Sequence, residues 1–260
     1  MTACLSLQTV DPALAAADTP SWDDVVSEIT GSCIRRAPRG ALLQMPGVVG
    51  VLAGAAPVVW AYGDTSASVL LKALERWQEI EEVYVAGSQQ PLIRLIREHG
   101  FRLGDVADQR VRRTTPKVHL VAGPEFSLRG LGPRDVAQWR HSLMSWADLS
   151  PHAAAVAYPD NFFEVAKPVE VLGAFDAEGR LVGTLAHRHQ DRSAMLFGLV
   201  VDPAWRGRGV ASALVRATAG RAGRRGATFL HAQAGVDGSR VLDRCGFGSV
   251  GSWHRLVRDV

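Results

Sequence analysis

The most constraining stretch of this 260-residue chain runs Leu199-Val200-Val201-Asp202-Pro203-Ala204-Trp205-Arg206-Gly207-Arg208-Gly209-Val210-Ala211, followed by a helix-forming run from Ser212 to Ala219. An apolar segment ends in Asp-Pro, two glycines follow, and helical spacing begins. This reads as a buried strand, a tight turn and a helix whose first turn has no side-chain cap. No acidic side chain occurs between Arg206 and Ala211. Main-chain N–H groups therefore converge at the positive end of the helix dipole, an arrangement suited to phosphate. Arg206 and Arg208 can add charge-assisted bonds to the same anion. The stretch predicts a site for a polyphosphate-bearing ligand.

Two common phosphate motifs are absent. A dinucleotide fingerprint needs G-x-G-x-x-G with an acidic residue about 20 positions on, and a Walker loop needs G-K-[ST]. The pattern that fits is Arg/Gln-x-x-Gly-x-Gly/Ala, here Arg206 to Ala211, after a strand ending in Val-Asp-Pro. It resembles the acyl-CoA loop of the GNAT N-acetyltransferase superfamily. The resemblance covers roughly Lys117 to Val260 and includes Gly246-Phe247, matching the family's Gly-Phe after its last helix. It implies an α/β fold of two GNAT-like domains, each a mixed, mostly antiparallel sheet flanked by helices. It also implies acetyl-CoA as co-substrate. The pantetheine arm would lie between diverging strands at Leu199 to Val201 and Phe229 to Gln233, pairing with backbone like an added strand. The backbone of Leu199, Val200 and Val201 would hold that arm. Arg206, Gly207, Arg208, Gly209, Val210 and Ala211 would hold the pyrophosphate, and an N–H near Val201 would polarise the thioester carbonyl.

Composition narrows the partners. A net charge of +3 with a pI near 9.0 admits an anionic cofactor. Its basic residues are too scattered to argue for nucleic acid. Cys4, Cys33 and Cys245 are too few and too far apart for a disulfide framework or a zinc site, so no metal is expected and a reducing compartment is. Met1 to Ala17 lacks a basic n-region and carries Asp11, so it does not read as a signal peptide. No apolar run approaches the 18 or more residues of a membrane span. The expectation is a cytoplasmic protein.

Two halves emerge along the chain. Ser21 caps a helix predicted over 22–29. Ala41 to Met45, Val48 to Leu52 and Val58 to Tyr62 read as a meander, Ser66 to Trp77 as a helix, Val83 to Val85 as a strand, and Gln89 to His99 as a helix ending at Gly100-Phe101. The segment Leu92 to Phe101 lines up with Gly238 to Phe247 at an offset of 146 residues, 246 minus 100. At that offset Trp60-Ala61-Tyr62 replaces Arg206-Gly207-Arg208 and Asp64 replaces Val210. A carboxylate there repels pyrophosphate. Residues 1–116 thus read as a degenerate copy that binds no CoA and either packs against the second half or walls its acceptor pocket. Arg110 to Pro116 reads as the linker, and residues 117–260 as the acyl-CoA-binding catalytic domain. In that domain Lys117 to Val121 reads as a strand, Gly132-Pro133 as a helix start, and Leu149 to Asn161 as irregular or a short helix lining the acceptor site. Val169 to Phe175 and Leu181 to His187 read as a hairpin, Ala194 to Val201 as the central strand, Ala211 to Ala222 as the cofactor helix, Thr228 to Gln233 as the next strand, and Asp237 to Cys245 as the last helix. Val250 to Arg258 closes the sheet.

Acyl transfer to an amine needs a base, because an alkylammonium of pKa about 10 is protonated at neutral pH. His231, mid-strand beside the cofactor cleft, is the first candidate for catalysis through water. His187 and Asp191 rank lower, since the end of a hairpin strand is usually solvated. The family's acid, a Tyr four residues before the Gly-Phe glycine, is replaced by Leu242, and a pantetheine-holding Asn seven residues earlier by Gly235. Ser239, Cys245 or a water could substitute as the acid. Trp146, Trp205, Trp253 and His254 lie in segments that could face the acceptor or the core. The reading is direct transfer of an acetyl group to a small-molecule or peptide amine, with no nucleic-acid or membrane partner, by a monomeric pseudo-dimer or a homodimer. The alternatives are a CoA-binding sensor without catalysis, and a transferase with another acyl donor or a hydroxyl acceptor.

Overall fold

The computed structural model describes residues 20–36, 42–45, 47–51, 58–62, 65–76, 80–114, 125–147, 149–165 and 169–258. In the first half, α1 (Trp22–Arg36) begins at Ser21, whose hydroxyl accepts from the Asp24 N–H at 3.2 Å while the Asp24 carboxylate accepts from the Ser21 N–H at 2.9 Å. This reciprocal cap fixes the predicted start. The helix continues past Ile29, where the sequence predicts its end. There follow β1 (Leu42–Met45), β2 (Val48–Val51), β3 (Val58–Ala61), α2 (Ala67–Arg76), β4 (Glu82–Ala86), α3 (Gln90–Glu98) and β5 (Phe101–Arg113).

The second half has β6 (Ser127–Gly130), then a 3-10 turn at Pro133–Asp135 leading into α4 (Val136–Ala147), α5 (Pro151–Ala157) and α6 (Phe162–Val165). It continues with β7 (Val169–Phe175), β8 (Leu181–His189), β9 (Ser193–Val201), α7 (Val210–Arg224), β10 (Phe229–Ala234), α8 (Val236–Arg244) and β11 (Gly248–Arg258). The α3 and α8 helices keep the 146-residue offset at both ends, 236 minus 90 and 244 minus 98. Each is followed by a glycine with positive φ, 84° at Gly100 and 80° at Gly246, a conformation that favours glycine after a helix.

The halves do not build separate sheets. The eleven strands among the described residues join one sheet in the order β1-β2-β3-β4-β11-β5-β10-β9-β8-β7-β6. Only β3–β4 and β9–β10 are parallel among these neighbours. The closing strand of each half has crossed over: β11 lies between β4 and β5, while β5 lies against β10. Two expectations are corrected here. Val250 to Arg258 runs through the middle of the shared sheet. Arg110 to Arg113, read as linker because of its charge, is the end of a 13-residue central strand. Its basic residues are paired: Arg110 bridges Asp108 at 2.6 Å and also meets Asp243, and the Arg112 Nη1 donates to the Cys245 carbonyl at 2.6 Å. The predicted strand at Lys117 to Val121 lies outside the described residues.

Helices cover both faces. On one face α1 straps the junction, setting Val25, Val26 and Ile29 on Ala86, Val111, Phe229 and Trp253, one residue from each of the four central strands. Trp253 is fully buried, its ring 4.8 Å from that of Trp22, and its Nε1 donates to Gln109 at 3.1 Å. It is a core residue, not an acceptor contact. Farther along the same face, α4 packs Val136, Trp139 and Leu143 on Val171, Ala186 and Val200. On the opposite face α7 and α8 bury Val210, Leu214, Ala217 and Leu242 over Leu172, Leu185, Leu196 and Leu230.

Candidate functional site: a cleft at the splay of two parallel strands

The parallel pairing of β9 with β10 stops at Leu196↔Ala232, although β9 continues to Val201. The cause is local. Across β8, Thr184 pairs with Val200 and Ala186 with Phe197, so β9 carries one residue more than its partner. Gly198, at φ 62°, takes the left-handed conformation that such a bulge uses. The bulge bends β9 away from β10. Among the described residues no strand pairs with the β10-facing edge of Leu199 to Val201, which leaves backbone groups there for an extended ligand, although the Val201 carbonyl already accepts from the Arg206 Nε at 3.3 Å.

Beyond the splay the chain makes an Asp-Pro turn, with the Asp202 carboxylate accepting from the Ala204 N–H at 2.9 Å. Gly207 and Gly209 follow at φ 77° and 83°. Gly209 caps α7 without a side-chain bond, and the first turn holds no acidic residue. The first bond into the helix is donated by Ala213 to the Gly209 carbonyl, so the amides of Val210, Ala211 and Ser212 precede the internal ladder. They point where a phosphate fits.

The resulting cleft is about 820 Å³ and is lined by Leu199, Val200, Val201, Arg206, Gly207, Gly209, Val210 and Ala211, eight of the nine residues expected at the cofactor. Arg208 is not among its lining residues. Its guanidinium lies over the Trp205 ring at 4.8 Å, with one nitrogen 3.4 Å from Glu125. Trp146, Trp205 and Ser212 complete the near wall, and Asp237, Arg240, Val241 and Arg244 of α8 the far wall. Arg240 and Arg244 were missed from sequence; their signal was the four-residue spacing of basic residues on the exposed face of a short helix.

An inner chamber of about 360 Å³ sits at the splay itself. Leu185, Leu196 and Leu242 come from one layer, Leu143, Leu149 and Phe197 from the other, and Gly235 lies at its edge. Its polar side chains are those of Tyr158 and Gln233, and Tyr158 is its one titratable group among the described residues. Tyr158 stands on an aromatic cluster, with ring centroids 4.8 Å from Trp139 and 5.6 Å from Phe162. Burial pushes its phenol pKa up, so the hydroxyl stays protonated.

The two residues singled out for catalysis do not line either space. Leu230, Ala232 and Ala234 belong to the α7 layer, so His231 points to the opposite face, beside Phe229 and under α1. It is 1% exposed, with Nε2 2.7 Å from the Gln190 Oε1. Ser193 donates to the same Gln190 oxygen at 2.7 Å, and its hydroxyl also lies 3.2 Å from Glu28 Oε2. Burial pushes the His231 pKa down to about 4. Ser239 is buried on α8, away from the cleft-lining residues Asp237, Arg240 and Val241. Cys245 is a buried free thiol. His187, expected to be solvated, is fully buried. Burial first, then His189 and two arginines, push its pKa down to about 3. The Asp64 position in the first half lies outside the described residues, where the neighbouring Trp60 stacks on Tyr84 at 5.8 Å.

The fold that carries this bulged and splayed parallel pair is shared with solved GCN5-related N-acetyltransferases. Residues 135–247 match the model of the acetyltransferase (GNAT) family. A GCN5-related N-acetyltransferase from Kribbella flavida is similar over 91% of this chain and 95% of its own, with TM-score 0.69 and 14% identity. One from Sphaerobacter thermophilus covers 81% of this chain and 76% of its own, with TM-score 0.60 and 17% identity. A tandem GNAT protein from the clavulanic acid biosynthesis pathway covers 92% and 96%, with TM-score 0.56 and 14% identity. At these identities the likeness is one of fold. No curated protein sequence matches the chain significantly. No helix among the described residues is long and apolar enough to cross a membrane.

Proposed function

We propose that residues 117–260 bind acetyl-CoA and transfer its acetyl group to an amine of a small molecule or peptide, while residues 1–116 serve as a packing partner that binds no CoA. The observation that carries this reading is the continuity of the cleft. An unpaired strand edge suited to an extended pantetheine arm leads into a turn of bare amides suited to a diphosphate. Arg206, Arg240 and Arg244 against a single carboxylate, Asp237, add an electropositive lining. The amine would attack the thioester directly, with a main-chain N–H of the bulge at Leu199 to Val201 polarising the carbonyl. Tyr158, held protonated in the chamber, would supply the proton to the leaving thiolate in place of the family's Tyr at Leu242, and the proton shed by the attacking amine would return to the phenolate through water. The mostly apolar chamber favours an acceptor with an apolar or aromatic body. The sparse cysteines fit a cytoplasmic setting, and the fused halves fit a monomeric pseudo-dimer.

One observation favours a second reading. Leu242 lines the chamber where the family places its acid, which suits a CoA-binding sensor without turnover. Calorimetric titration with acetyl-CoA, followed by thiol release across an amine panel, separates the two. Uptake with release supports the transferase, and uptake with no release on any amine supports the sensor. No uptake overturns both.

A further inference from the structure

At the far end of α7 from the cleft, a second group of chemistry-bearing side chains converges. Glu170 and His187 face each other across the β7–β8 pair, and His189 follows two residues later on the same face of β8. The ligand-capable atoms of these three lie within 4.8 Å of one another, with Glu170 Oε2 4.0 Å from His187 Nε2. The two imidazole rings are 5.2 Å apart at 68°. This face carries Leu172 and Leu185 under α7, so Arg221 of that helix and Arg225, its C-cap, overhang the group.

One fact about this cluster demands an explanation. His187 is 0% exposed, yet among the described residues neither of its ring nitrogens has a hydrogen-bond partner; nor has the buried His189 Nε2. A buried imidazole usually has partners for both its donor and its acceptor nitrogen, because an unmatched buried polar group is costly. A cation would take the lone pair of one nitrogen on each ring, giving that otherwise unmatched acceptor a partner.

We propose that Glu170, His187 and His189 form a binding site for a divalent transition-metal ion of the Zn²⁺ class. Two imidazoles and one carboxylate suit such an ion, whereas Mg²⁺ and Ca²⁺ favour oxygen ligands. The donors sit on adjacent strands of a sheet, which holds them with little freedom. Glu170 is oriented as ligating carboxylates commonly are, since Arg225 contacts Oε1 and leaves Oε2 toward the histidines. Arg221, 3.8 Å from Oε2, brings positive charge close to the site and lowers its affinity. Arg221 lies roughly 16 Å along the helix from its cleft end at Val210, by a rise of 1.5 Å per residue, and Arg225 caps the far end. The ion would tie the β7–β8 ribbon together beneath the end of α7 and take no part in acyl transfer.

The test is Co²⁺ titration of the metal-free full chain, read by visible d–d absorption and by thermal unfolding. The expected result is one equivalent of Co²⁺ with absorption above that of the aquo ion, a raised Tm, and displacement by Zn²⁺. His189→Ala and Glu170→Gln should each weaken uptake by about 100-fold or more, beyond what loss of an orienting partner costs. Both side chains are partly exposed, and circular dichroism checks that the variants fold. Arg221→Gln should tighten binding. Absence of saturable uptake, or uptake unchanged in both ligand variants, overturns the proposal. Either result leaves acetyl-CoA titration at the cleft unaffected.

Discussion

The Nε2 of His231 lies 2.7 Å from the side-chain oxygen of Gln190, inside a buried network that reaches Ser193 and Glu28 of α1. The histidine there is neutral, and burial holds its pKa at about 4 against an ordinary value of 6.5. The unfolded chain takes up a proton below about pH 6.5, while the folded chain resists until about pH 4. Stability is therefore full above the upper value, declines as pH falls between the two, and levels off below. The decline from this residue is on the order of 3 kcal/mol. His187, with a pKa of about 3, adds to it. Urea unfolding from pH 7 to pH 4 should show a shallower decline in His231→Gln, whereas the pH–rate profile of acetyl transfer should be unchanged, since His231 does not line the cleft.

Arg206 and Arg208 should separate in a binding assay. Arg206 lines the cleft, and Arg208 is turned toward Trp205 and Glu125. Arg206→Ala should weaken acetyl-CoA binding by about 1–2 kcal/mol, in the range of a charged hydrogen bond. Arg208→Ala should cost well under half of that by calorimetry.

Gly209 should tolerate no side chain, for a conformational reason. A Cβ there meets nothing within 4 Å, but φ is 83°. Gly209→Ala should destabilise the fold by roughly 1–2 kcal/mol and weaken acetyl-CoA binding by shifting the amides of α7. Thermal unfolding and calorimetry on the same sample measure both effects.

Tyr158→Phe keeps the aromatic packing and removes one hydroxyl. If that hydroxyl protonates the thiolate, kcat should fall by about 10²- to 10⁴-fold while the Kd for acetyl-CoA stays within twofold. Stopped-flow thiol release and calorimetry distinguish this from a packing role, which would change stability without that split.

Trp253 and Gln109 link the halves. Gln109 accepts from the Trp253 Nε1 at 3.1 Å and donates to the Ala232 carbonyl at 3.1 Å, both buried. Trp253→Phe leaves the Gln109 oxygen unmatched and should cost roughly 1–3 kcal/mol. Because β11 and β5 belong to opposite halves, urea unfolding should remain one transition with a lowered midpoint.

The glycine turn was legible because its requirements are local. Positive φ at Gly207 and Gly209, an uncapped helix start and flanking arginines are written in adjacent residues. The repeat was legible for the same reason, since Gly100-Phe101 and Gly246-Phe247 each end a helix. The exchange of β5 and β11 was not legible. Both are half-buried strands, and nothing within either segment names its neighbour; Arg110 and Arg112 read as linker until Asp243 and the Cys245 carbonyl are seen beside them. His231 was placed on the right strand, but its face could not be read, because the splay begins only after Ala232. His187 read as solvated from the position of its strand end, and only β7 and α7 together cover it. Tyr158 sits in a Pro- and Ala-rich segment whose sequence gives little reason to look for an acid.

The placement of β11 bears on how the protein is made. This strand is synthesised after every element it separates, yet it fills the centre of the sheet. Until it is available, β4 presents a bare edge and β5 lacks one flank, so a ribosome-bound chain can assemble its layers only provisionally. Maturation must wait for that segment, and a message truncated before Gly248 would yield two half-sheets with open seams, prone to capture one another between molecules.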